Sequence, residues 1–575
     1  MRAHKGFRGS RGFVVLLIVA TAVAAGIAAT GPAAPHPSPA PRGGAVASSA
    51  PAATEAGLLI LREGGNAADA AVAVALALAV VHPQAGNLGG GGFAVARFGD
   101  EVAALDFRET APAAATAGMF LGPDGSPVAE RSLVGPLAAG VPGSPAGLFE
   151  LHHRFGRLPW IQVVAPAARL ARGGFPVTER LSRAIAEDRA LLARFPETAA
   201  VWLPGGQPPA AGTTVRLPRL AKVLDAYGRL GPKALTRGRA AEAIEAASRK
   251  HGGILTAADL AAYAPVWRAP VRLRAFGWEI ASMPLPSSGG IILGETFGML
   301  ERLGFAALPK DGADRAHLSV EAWRRAFADR FLLGDPMSTG ADATQLLDPS
   351  WLDRRAREID RARATPSASV KNWPGGAAEP TQTTHLSVVD ARGDAVAMTV
   401  TLNDTFGCRL LVPELEILLN NEMDDFATAP GKANLYGLVQ GPANAVGPGK
   451  RMLSSMSPTL AWKGSEILAI GSPGGSHIPT AVGQTLLRIL VDGESLLDAV
   501  THPRIHHQWM PDEVAVEAGA LSGEVRGELA RRGHVLKEVK ALGEVDAARR
   551  RADGRLEAAA DPRGPGAASV EEPRK

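Results

Sequence analysis

Hydroxyls, glycines and scattered charges are what this sequence offers for chemistry, because its metal-type and thiol groups are too few or badly spaced. Adjacent His506 and His507 point different ways on either a helix or a strand, and no further ligands stand at metal-binding spacing. Cys408 is alone, which excludes an internal disulfide framework and a multi-cysteine metal site. The run Asn87-Leu88-Gly89-Gly90-Gly91-Gly92 leads into a strand and lacks the Lys-Ser/Thr ending of a phosphate cradle. What remains is Thr383-Thr384 at the start of an alternating segment, the run GSPGGS at 471–476, and the charges Arg108, Glu422 and Asp425. Taken by themselves these have ordinary readings. Thr383 and Thr401 are residues with strand propensity, Gly474-Gly475 a turn, the charges solvated or ion-paired, and His385 a satisfied structural histidine.

The elements that must position them follow from the pattern. Residues 53–63 read as a helix broken at Gly64-Gly65, and Asn66 as the N-cap of a second, almost wholly apolar helix over 67–81. The length of that helix and its Asp69 favour burial on all sides in a large core over a membrane span. Residues 93–98 and 102–107 alternate as a hairpin. The middle, roughly 145–360, reads as mostly helical scaffold, with apolar residues at three- and four-residue spacing in 220–230, 239–250, 257–263 and 316–331. Residues 361–382 are polar and rich in Pro, Gly and Ser, the composition of a surface loop open to cleavage. Strands follow at 385–390 and 395–402 around the turn Ala391-Arg392-Gly393-Asp394, then at 466–470 and 513–517, with a helix at 480–490. Strands bracketed by helices suggest sheets between helical layers.

Bulk properties narrow the class. A chain of 575 residues, 46% hydrophobic, buries a core easily. The net charge of +4 comes from 61 basic and 57 acidic residues that are scattered, so the pI near 9.3 is weak evidence for a nucleic-acid or membrane partner. Arg2, Lys5, Arg8 and Arg11 precede an uncharged apolar run over 13–29 and an Ala-, Pro- and Ser-rich stretch to about position 50. Residues 1–34 read as an export signal or an uncleaved anchor and 35–44 as a spacer, the small residues Ala28, Ala29, Ala33 and Ala34 favouring cleavage.

The stretches ATEAGLLILREGGNAADAAVAV, NLGGGGF, LDFRETAP, PLPSSGG, TTHLSVVD, ILLNNEMDDF, ANAVGPGKRMLSSMSPTL, GSPGGS and HHQWMPDE occur in the order found in the γ-glutamyltranspeptidase (glutathione hydrolase) family. The chain resembles that family from about Ala45 to Ala568. The resemblance implies a four-layer αββα sandwich of the N-terminal-nucleophile type, made as a precursor. The precursor splits between Gln382 and Thr383 into a large chain, 45–382, and a small catalytic chain, 383–575, that stay associated. It makes Thr383 the nucleophile, with the freed α-amine, of ordinary pKa ~7.7–8.0, as its base. It makes Thr401 a hydrogen-bond partner of that nucleophile and Gly474-Gly475 the oxyanion hole. Arg108, Ser454 and Ser455 would take the donor's α-carboxylate, Asn403, Glu422 and Asp425 its α-ammonium, and the segment 430–441 with Tyr436 would be a lid.

The same resemblance implies γ-glutamyl donors and amine acceptors as partners, no nucleic acid, no metal or organic cofactor, and a secreted or periplasmic location, or membrane attachment if the N-terminal segment is uncleaved. Cys408 and the charged stretch 541–551 depart from the family's usual small or polar residues. Two rival functions share the fold: a β-lactam (glutaryl or cephalosporin) acylase of the same superfamily, and a non-catalytic exported relative.

Overall fold

The computed structural model describes residues 42–574 apart from Asn87, 340–342, 371–382 and 429–439. The expectations for residues 1–34, most of the spacer, Gln382 and Tyr436 therefore lie outside the described residues. Among the described residues no helix is long and apolar enough to cross a membrane.

Two antiparallel sheets stack in the middle. The first has seven strands in the order Ala567–Arg574, Arg42–Ser48, Thr384–Asp390, Ala395–Thr401, Gly91–Phe98, Glu101–Phe107 and Val266–Arg268. The second has six: Leu556–Ala559, Asp546–Arg550, Glu466–Gly471, Thr459–Lys463, Trp278–Ser282 and Val271–Ala275. Alternation along each strand sorts the side chains. In the first sheet Ala94, Ala96, Leu386, Val388, Val396 and Met398 join an outer core with the helices Pro51–Arg62 and Ala67–Val81. Their neighbours Phe93, Val95, Val389, Ala395 and Ala397 face Ile280, Leu460, Leu468 and Ile470 of the second sheet. The helices Gly289–Arg302 and Ile478–Leu490 add Leu293, Phe297, Val482 and Leu486 to this second core. The result is the four-layer αββα sandwich.

The helix Ala67–Val81 is buried on nearly every side, and its N-terminus explains how a charge is tolerated there. Asn66 Oδ1 accepts from the N–H groups of Ala68 and Asp69 at 3.0 and 3.1 Å, while Asp69 accepts from Asn66 N at 3.0 Å and Arg157 N at 3.0 Å. This capping box satisfies N–H groups that would otherwise be orphaned in an apolar layer.

One expectation needs correction and another gains detail. The spacer does not extend to residue 44, because Arg42–Ser48 is a strand between Thr384–Asp390 and Ala567–Arg574. Its glycines and alanines carry little strand propensity, but close contact requires them: a Cβ at Gly44 would lie 2.7 Å from Val389 O. The middle of the chain is mostly helical, as expected, and among its strands Val266–Arg268, Val271–Ala275 and Trp278–Ser282 join the two central sheets. They are short and mix arginine and alanine among their apolar positions, so the alternation is faint.

Candidate active site

Thr383 immediately precedes the strand Thr384–Asp390 and shares the inter-sheet face of His385, Ser387 and Val389. The register pairs Val400 with Thr384 and Thr399 with His385, so Thr401 ends the neighbouring strand beside Thr383. Both threonines are buried and open into one cleft with about 300 Å³ of empty space. Thr401 Oγ1 accepts from the N–H of Asn403 at 2.7 Å. Asn403 takes φ of +74° there and donates its side-chain amide to Asn421 O at 3.1 Å. A left-handed asparagine is one of the few non-glycine residues that tolerates such a bend.

Arg108 enters from the end of the strand Glu101–Phe107, and its backbone is clamped. Its N–H donates to Asp106 at 2.9 Å, while its carbonyl accepts from the Tyr263 hydroxyl at 2.8 Å and from Arg451 at 3.0 Å. The guanidinium is buried, with Nη1 on Glu422, Nη2 on Asp425 and Nε donating to Met452 O at 3.3 Å. Glu422 and Asp425 lie in one 3-10 turn, Glu422–Asp425, held by Glu422 N on Asn420 Oδ1 at 3.0 Å and by Asn444 and Gln440 donating to Asp425 O at 2.7 and 2.9 Å. Burial pushes both carboxyls upward and the Arg108 guanidinium pulls them back. For Arg108 burial opposes the charge, but Glu422, Asp425 and Glu109 outweigh it and hold the guanidinium protonated.

The serine pair is positioned by PLPSSGG, a stretch whose task the sequence left unassigned. Ser454 N donates to Pro286 O, and Ser454 O accepts from Ser288 N and Ser288 Oγ, each at 2.8 Å. Ser287 Oγ donates to Met456 O at 2.6 Å. Ser455 Oγ is buried without a partner. Opposite, Gly474 and Gly475 take φ of +129° and +54°, and the turn Gly475–His477 starts the helix Ile478–Leu490. A side chain is disfavoured at either position, and Gly475 lines the cleft. Backbone N–H groups at the start of a helix suit a developing negative charge.

The described site residues thus gather around one cleft, with Gly474 adjacent to it. Sequence reasoning missed Arg330, Met456 and Ile478, which also line it. Arg330 sits at the end of the helix Ala313–Asp329, a segment read as scaffold. Glu109 was missed too: it is fully buried with Oε2 3.9 Å from Arg108 Nη1, neither carboxyl oxygen has a hydrogen-bond partner, and burial raises its pKa to about 7. The only signal was its place in LDFRE. His385 is satisfied, Nδ1 with Thr399 Oγ1 at 2.9 Å and Nε2 with Ser387 Oγ at 3.0 Å, and burial lowers its pKa to about 3. His506 bonds Thr480 and Gln508, and His507 faces Asp512. Among the described residues no three His, Cys, Asp or Glu are grouped to hold a metal ion.

Residues 53–571 match the family model described as Gamma-glutamyltranspeptidase. The chain is 43% identical over 528 residues to the glutathione hydrolase proenzyme of Escherichia coli (strain K12), covering 90% of each chain. It is 41% identical over 539 residues to the glutathione hydrolase proenzyme of Pseudomonas aeruginosa, covering 92% of this chain and 95% of the relative. Among solved structures, a cephalosporin acylase from Bacillus halodurans superposes with a TM-score of 0.80 at 27% identity, covering 92% of this chain and 96% of that one.

Proposed function

Because the chain belongs to the γ-glutamyltranspeptidase family, we propose that its cleft performs that family's reaction with Thr383 as the nucleophile. The protein is a γ-glutamyl transferase and hydrolase, acting on the γ-glutamyl amide of glutathione and related compounds. The observation that carries the residue assignment is the convergence of Thr383, Thr401, Arg108, Asp425 and Gly475 on one cleft.

The Gln382–Thr383 bond breaks first, which frees an α-amine. That amine takes the hydroxyl proton as Thr383 Oγ attacks the γ-carbonyl carbon. The tetrahedral oxyanion is held by N–H groups of Gly474 and Gly475, and Thr401 steadies the nucleophile. The C–N bond then breaks, the leaving amine takes the proton, and a γ-glutamyl ester of Thr383 remains. Water or an acceptor amine attacks that ester, regenerating the hydroxyl. The zwitterionic end of the donor is read by opposite charges: Arg108 with the Ser454 and Ser455 hydroxyls for the carboxylate, and Asp425, Glu422 and Asn403 for the ammonium. The segment 430–441 with Tyr436 serves as a lid that keeps water from the ester. The basic N-terminus and apolar run over 13–29 direct the enzyme out of the cytoplasm, which fractionation of cells checks.

Intact mass and N-terminal sequencing of the purified protein test the assignment. Two associated chains are expected, the smaller beginning Thr-Thr-His-Leu-Ser; a single uncut chain after long incubation overturns it. The likeness in fold to a cephalosporin acylase favours one rival, an acylase of glutaryl amides. Its acyl group lacks the α-ammonium, so hydrolysis of glutaryl but not γ-glutamyl amides would establish it.

A further inference from the structure

Resting on the γ-glutamyl reading, we propose that Arg330 is a second guanidinium of the donor pocket, whose terminal nitrogen Nη1 hydrogen-bonds the α-carboxylate of the γ-glutamyl group. The need for it arises from how Arg108 is occupied. Its two terminal nitrogens already hold Glu422 and Asp425, and its Nε is directed at Met452 O. A bidentate grip on an incoming carboxylate uses two parallel N–H donors of one guanidinium. One N–H on each terminal nitrogen of Arg108 is already given to a carboxylate, so Arg108 meets the donor with its positive charge shared.

Arg330 is in the opposite condition. It lines the same cleft, is 3% exposed, and anchors one edge by donating Nε to Ser288 Oγ at 3.0 Å, while Nη1 is buried without a partner. A buried charged donor left unpaired is expensive, and such an atom in a cleft is accounted for most simply by a ligand that completes it. Burial lowers the basicity of Arg330 to about 10, with Asp425 working to restore it, so the side chain remains cationic at neutral pH.

Charge and position agree on the ligand. Ser288, which holds Arg330, also fixes Ser454 through two hydrogen bonds to its carbonyl, so guanidinium and serine hydroxyls form one connected unit. The unpartnered Ser455 Oγ belongs to the same wall. Together they offer N–H and O–H donors to an anion, while Glu422 and Asp425 stay on Arg108 and available to the ammonium.

The test compares a γ-glutamyl anilide with the 4-aminobutyryl anilide, the same donor without its α-carboxylate, in the matured enzyme. Wild type is expected to prefer the first. Arg330→Gln should raise KM for the γ-glutamyl anilide on the order of tenfold to a hundredfold and leave KM for the 4-aminobutyryl anilide nearly unchanged. Arg330→Lys keeps the charge and serves if Arg330→Gln does not mature; it should restore part of the preference. Competition by glutamate against 4-aminobutyrate reads the same difference without turnover. If Arg330 only braces Ser288, both donors lose equally, mainly in kcat, Ser288→Ala reproduces the loss, and the proposal is overturned. A wild type indifferent to the α-carboxylate would instead remove the γ-glutamyl reading itself.

Discussion

Two polar regions lie along the same strands, equally buried but differently finished. Between the sheets, His385 and Thr399 pair at 2.9 Å, His385 and Ser387 at 3.0 Å, and Ser387 donates to Asp546 O at 3.0 Å. In the cleft, a few residues toward the strand ends, Ser455 Oγ, Arg330 Nη1 and one oxygen of Glu422 are buried without hydrogen-bond partners, as are both oxygens of Glu109 behind Arg108. Buried polar groups in folded chains are nearly always satisfied, and a half-satisfied network weakens a core. The first region is therefore structure and the second is a site waiting for polar ligand atoms. The contrast separates two residues that the motif TTHLS sets close together: His385 packs between the sheets, whereas Thr383 opens into the cleft.

The strongest way to break this comparison is Thr383→Ala. It should leave an uncut precursor with activity lower on the order of a thousandfold or more, read by intact mass and anilide turnover. Cleavage at that bond in the variant would end the self-processing claim. Next is Asp425→Ala, which removes one of the two carboxylates on Arg108. It should mature normally yet lose on the order of a hundredfold in kcat/KM, mostly through KM, because the ammonium loses a partner. Unchanged KM would transfer that role to Glu422.

A change in the other region should do the reverse. A methyl added at Gly471 would overlap the His385 imidazole. Gly471→Ala should destabilise the fold by about 1–3 kcal/mol, read as a lower urea midpoint, with KM for the donor little altered. A large KM effect with unchanged stability would mean the inter-sheet histidine communicates with the cleft.

These contrasts were only partly legible in the sequence. The helix Ala67–Val81 and its cap Asn66, and the hairpin Thr384–Asp390 with Ala395–Thr401, were readable because period and end signals agree with the tertiary surroundings. Arg42–Ser48 was not, since tight strand contact selects glycine and alanine over the β-branched residues that mark strands. Ordered motifs brought forward Thr383, Arg108 and Asp425 as candidates, and the fold gathers all three at one cleft. Arg330 was not among them, because an arginine ending an amphipathic helix looks like any solvated charge until its burial is known. Tyr436 falls outside the described residues, so its part in the lid is carried by the resemblance alone.

Glu109 gives the smallest effect and the finest edge to the comparison. Burial raises its carboxyl to about 7, with Arg108 opposing, against ~4.3 in an unfolded chain. Between those values the folded protein keeps a proton that the unfolded chain has released. The stability tied to this group is thus fully present below about pH 4 and is lost as pH rises through about 7. Glu109→Gln imitates the protonated acid at every pH, so it should flatten that decline. Urea midpoints of the matured enzyme at pH ~5 and ~8 check it: wild type should fall further than the variant. Equal declines would mean that Glu109 stays ionised in the fold, balanced by Arg108. The wall behind Arg108 would then hold another settled charge, and Glu109 would no longer set the cleft's surroundings apart from the layer around His385.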